Sequence, residues 1–323
     1  MAAKILYHNI SNITGLVNVQ LTESFSSAVR QAQIVCYDTT LSLGDAINFK
    51  LGYVGDNGKV FTGYVKNVNK ELPAALTTII CEDELTKAVD YFMAVDDPQA
   101  PFSRSNIMTE DLVEDILNAA QITNYGHNVP LEVIWGTRGT VELNLVSAWA
   151  AANQLAGALA WHIYCDRDGK VWLTDDHPYW ESGDSSSFTW NTGSADDVIA
   201  ISHTKSTEDL RNRVVVYGKE GIFASASIAS AYLPANFYKT AVLASPIFDR
   251  TDLAQLVADY NLARFNRLTE GLTLQIEGDW QVKPRLFATV TDTYTGTSGD
   301  WFIFQVDHSF GAGGYTMNVV LVK

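Results

Sequence analysis

Asp166-Arg167-Asp168-Gly169 has the acid-x-acid-Gly spacing that opens a calcium-binding loop. Such a loop needs more oxygen ligands and a bidentate Glu at fixed spacing downstream. Lys170 to Asp175 does not supply them, so the tetrapeptide reads as a hairpin turn. Asp175-Asp176-His177 is a fragment of a metal site, but no second His stands at ligand spacing and Pro178 follows at once. His127, His203 and His308 are isolated, each on or beside a strand or turn, and read as structural histidines. Glu82-Asp83-Glu84, Asp96-Asp97 and Asp196-Asp197 supply carboxylates. A glycosidase needs two of them facing across a cleft, which adjacency in sequence does not create. No Gly-x-Ser-x-Gly elbow is present. Gly311-Ala312-Gly313-Gly314 lacks the Lys-Ser/Thr of a phosphate loop and lies between two strand-like runs. No catalytic constellation emerges, and no enzyme activity, metal or cofactor is expected.

Bulk properties narrow the class further. The chain has 323 residues, enough for two or three domains, and 47% hydrophobic content without an apolar run of membrane-span length. Its start, Met1-Ala2-Ala3-Lys4, lacks the apolar core of a signal peptide. Cys36, Cys81 and Cys165 are far apart, odd in number and read as buried thiols. Net charge is −15, which disfavours binding to nucleic-acid phosphates. The charge divides as −4 over residues 1–97, −8 over 98–193 and −3 over 194–323.

Most of the chain alternates with period two, the spacing that sends successive side chains to opposite faces of a sheet. In Pro284 to Lys323, runs around Leu286–Thr291, Trp301–Asp307 and Tyr315–Val322 are separated by two Gly-rich turns, which predicts an antiparallel meander. Gly44 to Asp83 echoes it: strands over Ala46–Tyr53, Lys59–Asn67 and Leu76–Cys81, with a turn at Gly55-Asp56-Asn57-Gly58. Order and spacing match while residue identities barely do, so one β-unit is expected twice. Further strands are expected over Leu16–Leu21, Gln31–Tyr37, Val198–His203, Arg213–Tyr217 and Leu272–Ile276. Between the units, Thr109 to Ala120 is expected as a helix capped by Thr109, and Leu145 to Leu155 as another. Leu159 to Cys165 and Val171 to Thr174 pair as a hairpin, and Asp175 to Ser194 reads as a loop. Thr251 to Leu268 has the clearest helical stripe and is expected to cover one side of the second β-unit. The fold class is therefore mainly β with an α+β insertion. Two small antiparallel β-barrels, residues 1–95 and 196–323, flank a helix-plus-hairpin domain at 96–195, with Asp96-Asp97-Pro98-Gln99-Ala100-Pro101 at the first boundary.

The order of these motifs resembles the tail hub proteins of contractile-tailed bacteriophages and related injection machines, also called baseplate hub or late-control proteins. Leu43-Gly44-Asp45, Phe61-Thr62-Gly63-Tyr64-Val65 and Ile79-Ile80-Cys81-Glu82-Asp83 look like the family's first barrel. Arg211 to Gly218 looks like the strand that opens the second, and Trp301 to Phe310 followed by Gly313 to Met317 like its closing hairpin. Val146 to Thr174 is similar to the family's insertion. Where members often have Pro-Gly before the final meander, this chain has Pro284-Arg285, so that turn is expected to be shaped differently.

The resemblance implies a structural hub of a tail baseplate. Three copies would form a ring whose six similar barrels match a hexameric tail tube on one face and seat a trimeric spike on the other. The ring would be part of the conduit for DNA ejection, with DNA only as passing cargo. No lysozyme-like or needle-like domain is read in the sequence, which implies a spike on a separate chain. Other partners would be baseplate and tape-measure proteins, and the location the virion tail, after assembly in the host cytoplasm. Trp280, Trp301 and Tyr315 are candidate interface anchors, with barrel core as the alternative for each. A second reading is a carbohydrate- or receptor-binding tail module that stacks exposed Trp on sugars, and a third is a hydrolase with paired acids.

Overall fold

The computed structural model describes residues 4–94, 100–105, 107–129, 141–159, 161–175, 184–192, 198–208, 210–230, 232–244, 248, 250–267 and 270–323. Alternating apolar residues make strands of most of it. The first six are β1 (Leu6–His8), β2 (Ile13–Ser24), β3 (Gln31–Thr39), β4 (Ala46–Tyr53), β5 (Asp56–Glu71) and β6 (Leu76–Glu82). Then come α1 (Thr86–Asp90), β7 (Phe102–Arg104), α2 (Thr109–Ala119), β8 (Tyr125–Asn128), β9 (Val141–Leu143), α3 (Ala148–Ala158), β10 (His162–Cys165), β11 (Val171–Thr174) and β12 (Ser186–Asn191). The rest is β13 (Val198–Lys205), β14 (Arg213–Tyr217), β15 (Phe223–Ser227), β16 (Thr240–Ala244), α4 (Thr251–Arg267), β17 (Glu270–Glu277), β18 (Phe287–Asp292), β19 (Thr297–Gly311) and β20 (Gly314–Val322).

The two ends of the chain carry the same unit. The N-terminal strands run in the order β4-β5-β6-β3-β2 and the C-terminal ones in the order β18-β19-β20-β17-β13, with every neighbouring pair antiparallel. The correspondence reaches single residues. β5 pairs with β4 up to Tyr64 and with β6 from Tyr64 onward; β19 pairs with β18 up to Phe302 and with β20 from Phe302 onward. Two residues past each switch stands a bulge, at Lys66 and at Phe304. An extra residue there bends the long strand so that it can serve two neighbours in different directions. The same positions point inward: Val65 and Ile303, Cys81 and Leu321, Ile34 and Leu274 are all fully buried.

The two units join edge to edge. β2 pairs antiparallel with β19 from Gln305↔Ser24 to Gly311↔Asn18, giving one 12-stranded sheet with a shared core. The hydrogen-bonded path is open, ending at β1 and β13, so the expected closed barrels are not drawn within this chain. β1 lies antiparallel on β4, and β12 occupies the matching place on β18 in the parallel direction. That strand corrects the loop expected over 175–194: Phe188 and Trp190 stack at 5.7 Å and pack on the same core. The rest of that loop, with Trp180 and His177, lies outside the described residues, as do both expected domain boundaries and Asp196-Asp197.

A second core gathers everything inserted into this scheme. Leu112, Val113, Ile116 and Leu117 of α2 pack with the alanines of α3, whose first turn is capped by Ser147 Oγ accepting from Ala150 N–H at 3.2 Å. Thr109, expected as the cap of α2, is its first helical residue, with Met108 in the cap position. The β10–β11 hairpin forms as expected, and β8 adds to it in parallel, a strand whose polar sequence Tyr-Gly-His-Asn carries no apolar alternation. Helix α4 corrects its expectation. Its face Leu253, Ala254, Val257 and Ala258 packs on β14 and β15 in the second core and does not cover β17–β20. β14, which resembled the opening strand of the second unit, instead centres a separate sheet, β15-β14-β16. The place of that opening strand is taken by β13. The 206–269 segment thus enters between β13 and β17, where the first unit has only Phe25 to Arg30 between β2 and β3.

Candidate interaction surface

Four parts of the chain meet at one buried ionic cluster. Glu23 lies near the end of β2, Arg30 just before β3, Asp83 just after β6, and Arg167 in the β10–β11 turn. Glu23, Arg30 and Asp83 are at most 7% exposed. Arg30 donates from N–H and Nε to Asp83 Oδ2 at 3.0 and 3.2 Å and from Nη1 to Glu23 Oε2 at 3.3 Å. Arg167 Nε donates to Glu23 Oε1 and Oε2 at 3.1 and 3.2 Å, and its Nη groups reach the carbonyls of Trp280 and Val282. His308 Nε2 lies 3.1 Å from Glu23 Oε1 and its Nδ1 2.8 Å from Tyr315 Oη. With Glu23 ionised, Nε2–H donates to the carboxylate and Nδ1 accepts from the tyrosine, the neutral tautomer. Burial pushes Glu23 up, but Arg167, the His308 hydrogen bond and Arg30 outweigh it and hold the carboxyl below its ordinary range. Burial lowers His308, with Glu23 opposing.

The hairpin turn that supplies Arg167 is the acid-x-acid-Gly motif. Asp166 spends its carboxylate on the turn itself, accepting from Asp168 N–H and Lys170 N–H at 2.9 Å and from Trp172 Nε1 at 2.8 Å. Gly169 takes the left-handed conformation, φ 82°. Asp168 reaches Lys59 at 2.7 Å, and the Arg167 carbonyl accepts from Thr62 Oγ1 at 2.8 Å. The tip is a plug that fixes the inserted domain against both β-units.

The aromatic candidates divide. Trp301 and Tyr315 are 1% and 2% exposed and sit in the large core, out of reach of a partner, so the anchor role does not pass to them. Trp280 is half-buried, and its neighbours are inside the chain: Nε1 donates to Asp56 Oδ1 at 2.9 Å, and the indole lies on Gly58. Of the other candidates, His203 sits between Glu270 at 3.3 Å and Thr297 at 3.2 Å, and His127 lies 3.3 Å from Glu114. Asp83 is committed to Arg30 at 3.2 Å. No tryptophan is exposed among the described residues, so no platform for a sugar is presented there.

What the chain does present is edges and one apolar face. β13 pairs only with β17, and the end of β5, residues 67–71, pairs only with β6 among the described residues. Each leaves a row of backbone N–H and C=O groups facing outward. On the β15-β14-β16 sheet, Ala224, Ala226, Val214 and Val216 turn toward α4 while Phe223, Tyr217 and Val242 face outward, 48%, 49% and 60% exposed. Alternation placed Val198–His203, Lys59–Asn67 and Arg213–Tyr217 on strands but not Phe223 or Val242, and nothing in it told an open edge from a paired one.

This architecture, a duplicated β-unit with helical insertions, is the fold of bacteriophage tail proteins and of a related secretion-system component. The chain matches the tail protein from Neisseria meningitidis MC58 with a TM-score of 0.76 at 13% identity, over 99% of this chain and 97% of that one. It matches the tail protein of prophage MuSo2 from Shewanella oneidensis with a TM-score of 0.74 at 12% identity, over 99% and 98%. It also matches the E. coli c3393 protein, a type VI secretion system component with structural similarity to T4 tail proteins gp27 and gp5, with a TM-score of 0.64 at 12% identity over 98% and 76%. No protein-family model and no curated protein sequence matches.

Proposed function

We propose that this chain is a structural hub of a tail baseplate, working as a symmetry adaptor. Three copies form a ring of six similar β-units, which faces a hexameric tail tube on one side and a trimeric spike on the other. The observation that carries the reading is the duplication itself. Two units with the same strand order, the same switch residue and the same bulge let a three-fold ring offer nearly six-fold contacts. The whole-length likeness to tail proteins supports it. Each unit reaches the barrel-like closure of a tube subunit through its neighbours in the ring. The ring encloses the conduit for DNA ejection, and the two end segments that form it carry −4 and −3, a negative balance that disfavours adhesion of phosphates. Other baseplate and tape-measure proteins bind its periphery, and no residue performs catalysis.

Mass measurement and negative-stain microscopy of the purified protein test this. The expected result is a three-chain particle with six lobes around a hole. A stable monomer or dimer under assembly conditions, with tube and spike partners added, removes the adaptor reading.

A further inference from the structure

We propose that β13 of one copy pairs antiparallel with residues 67–71 of β5 in a second copy, in the register that β2 and β19 use within one chain. The inference rests on the ring reading and specifies its interface.

The argument is one of equivalence. β13 is the counterpart of β2, and β5 of β19. Inside the chain, the second half of β19 is flanked on one side by β20 and on the other by β2. The second half of β5 is flanked by β6 and then ends in open backbone. β13, likewise, has β17 on one side and nothing on the other among the described residues. Of the strands that correspond to the joined pair β2 and β19, β13 and the second half of β5 are the two left without that partner among the described residues, and the same pairings and the same bulge shape them. The outer strands β1 and β12, which lie on β4 and β18, have no counterpart in the joined pair. The contact is heterologous, β13 against β5, so repeating it adds copies in one rotational sense until a ring closes.

The register follows from the pairs inside the chain. Val306 faces Glu23 and Asp307 faces Thr22; the corresponding residues are Val68 with Lys205 and Asn69 with Thr204. Asn69 and Thr204 are both exposed, as an outward-facing pair requires.

Disulfide trapping reads this directly. Opposed residues of an antiparallel pair lie about 4.5–5.5 Å apart at Cα, within disulfide reach. The native Cys36, Cys81 and Cys165 are buried and give little background. N69C and T204C are made as separate full-length variants, mixed, and oxidised mildly. The expected product is a two-chain species carrying the 69–204 disulfide, formed by the mixture and by neither variant alone; the N69C/T204C double variant extends it to a ladder ending at three chains. An E71C and S206C mixture, four residues out of register, stays unlinked. If light scattering shows rings but the 69–204 bond does not form, the pairing is overturned and the ring stands. If no multimer and no cross-link appear, both readings fall.

Discussion

Glu23 is buried and held by two guanidinium groups and an imidazole. Removing one member of such a cluster leaves opposite charges buried without a counterpart, which costs more than the pair itself contributes. Glu23→Ala is expected to lower the unfolding free energy by about 3–5 kcal/mol in urea denaturation. A loss under about 1 kcal/mol would show that the cluster does not hold the parts together. Arg285 makes a different point. Pro284-Arg285 replaces the Pro-Gly of the resembled family, and Arg285 does adopt φ 74°, the region that favours glycine. Its guanidinium lies 3.9 Å from the centre of the Tyr164 ring and 4.6 Å from that of Phe25, which gives the turn a cationic contact with both rings. Arg285→Ala loses the rings and keeps the strain, whereas Arg285→Gly loses the rings and relieves it. Arg285→Gly is expected to be more stable than Arg285→Ala by about 1 kcal/mol in matched thermal melts. The reverse order would mean that the backbone there is not strained.

At the scale of elements, ring-on-glycine contacts stitch strands together. A Cβ on Gly58 of β5 would stand 2.0 Å from the Trp280 ring, and one on Gly278 would stand 2.1 Å from the Tyr315 ring. Neither ring can withdraw cheaply, since Trp280 is tied to Asp56 and Tyr315 fills the core. Gly58→Ala is expected to cost about 1–3 kcal/mol, and with it the quenched fluorescence of a packed indole should change. An unchanged melt would place Trp280 elsewhere. The strands themselves were legible: Ala46–Tyr53 and Arg213–Tyr217 are found at the expected residues, and the final meander at nearly the expected ones. β8 and β12 were not, because a short polar strand and a strand inside a Ser-rich segment owe their existence to β11 and β18 rather than to their own pattern.

The whole molecule should lose stability on mild acidification. Burial lowers His162 to about 3, with Arg264 and Arg285 adding to the shift, and burial lowers His308 as well. A depressed histidine contributes stability that is complete above 6.5 and lost as pH falls toward its folded value. Glu23, depressed, adds a further loss below 4.5. Asp83 acts in the opposite direction: burial raises it to about 6, so its contribution grows as pH falls from about 6 toward 3.8. Between pH 6 and 4 the loss from His162 and the gain from Asp83 offset each other at about 1.4 kcal/mol per pH unit each, so His308 and His8, which burial also lowers, tilt the balance toward a loss. Urea midpoints measured across that range should fall, and His162→Phe should shift the slope by about 1.4 kcal/mol per pH unit toward stabilisation on acidification. A midpoint that rises on acidification would contradict the assignment of these groups.

Period-two alternation, Gly-rich turns and the echo between the two ends were enough to place most of the strands and the duplication. Those properties are local: which face a side chain takes depends on its own residue and its neighbours. Which edges meet is not local. Backbone N–H and C=O groups are the same at every residue, so no letter of the sequence marks β2 as the partner of β19, α4 as the cover of β14 and β15, or β13 and the end of β5 as left open. Only the folded chain decides these, by satisfying buried backbone groups and by gathering Glu23, Arg30, Asp83 and Arg167 from four distant segments into one site.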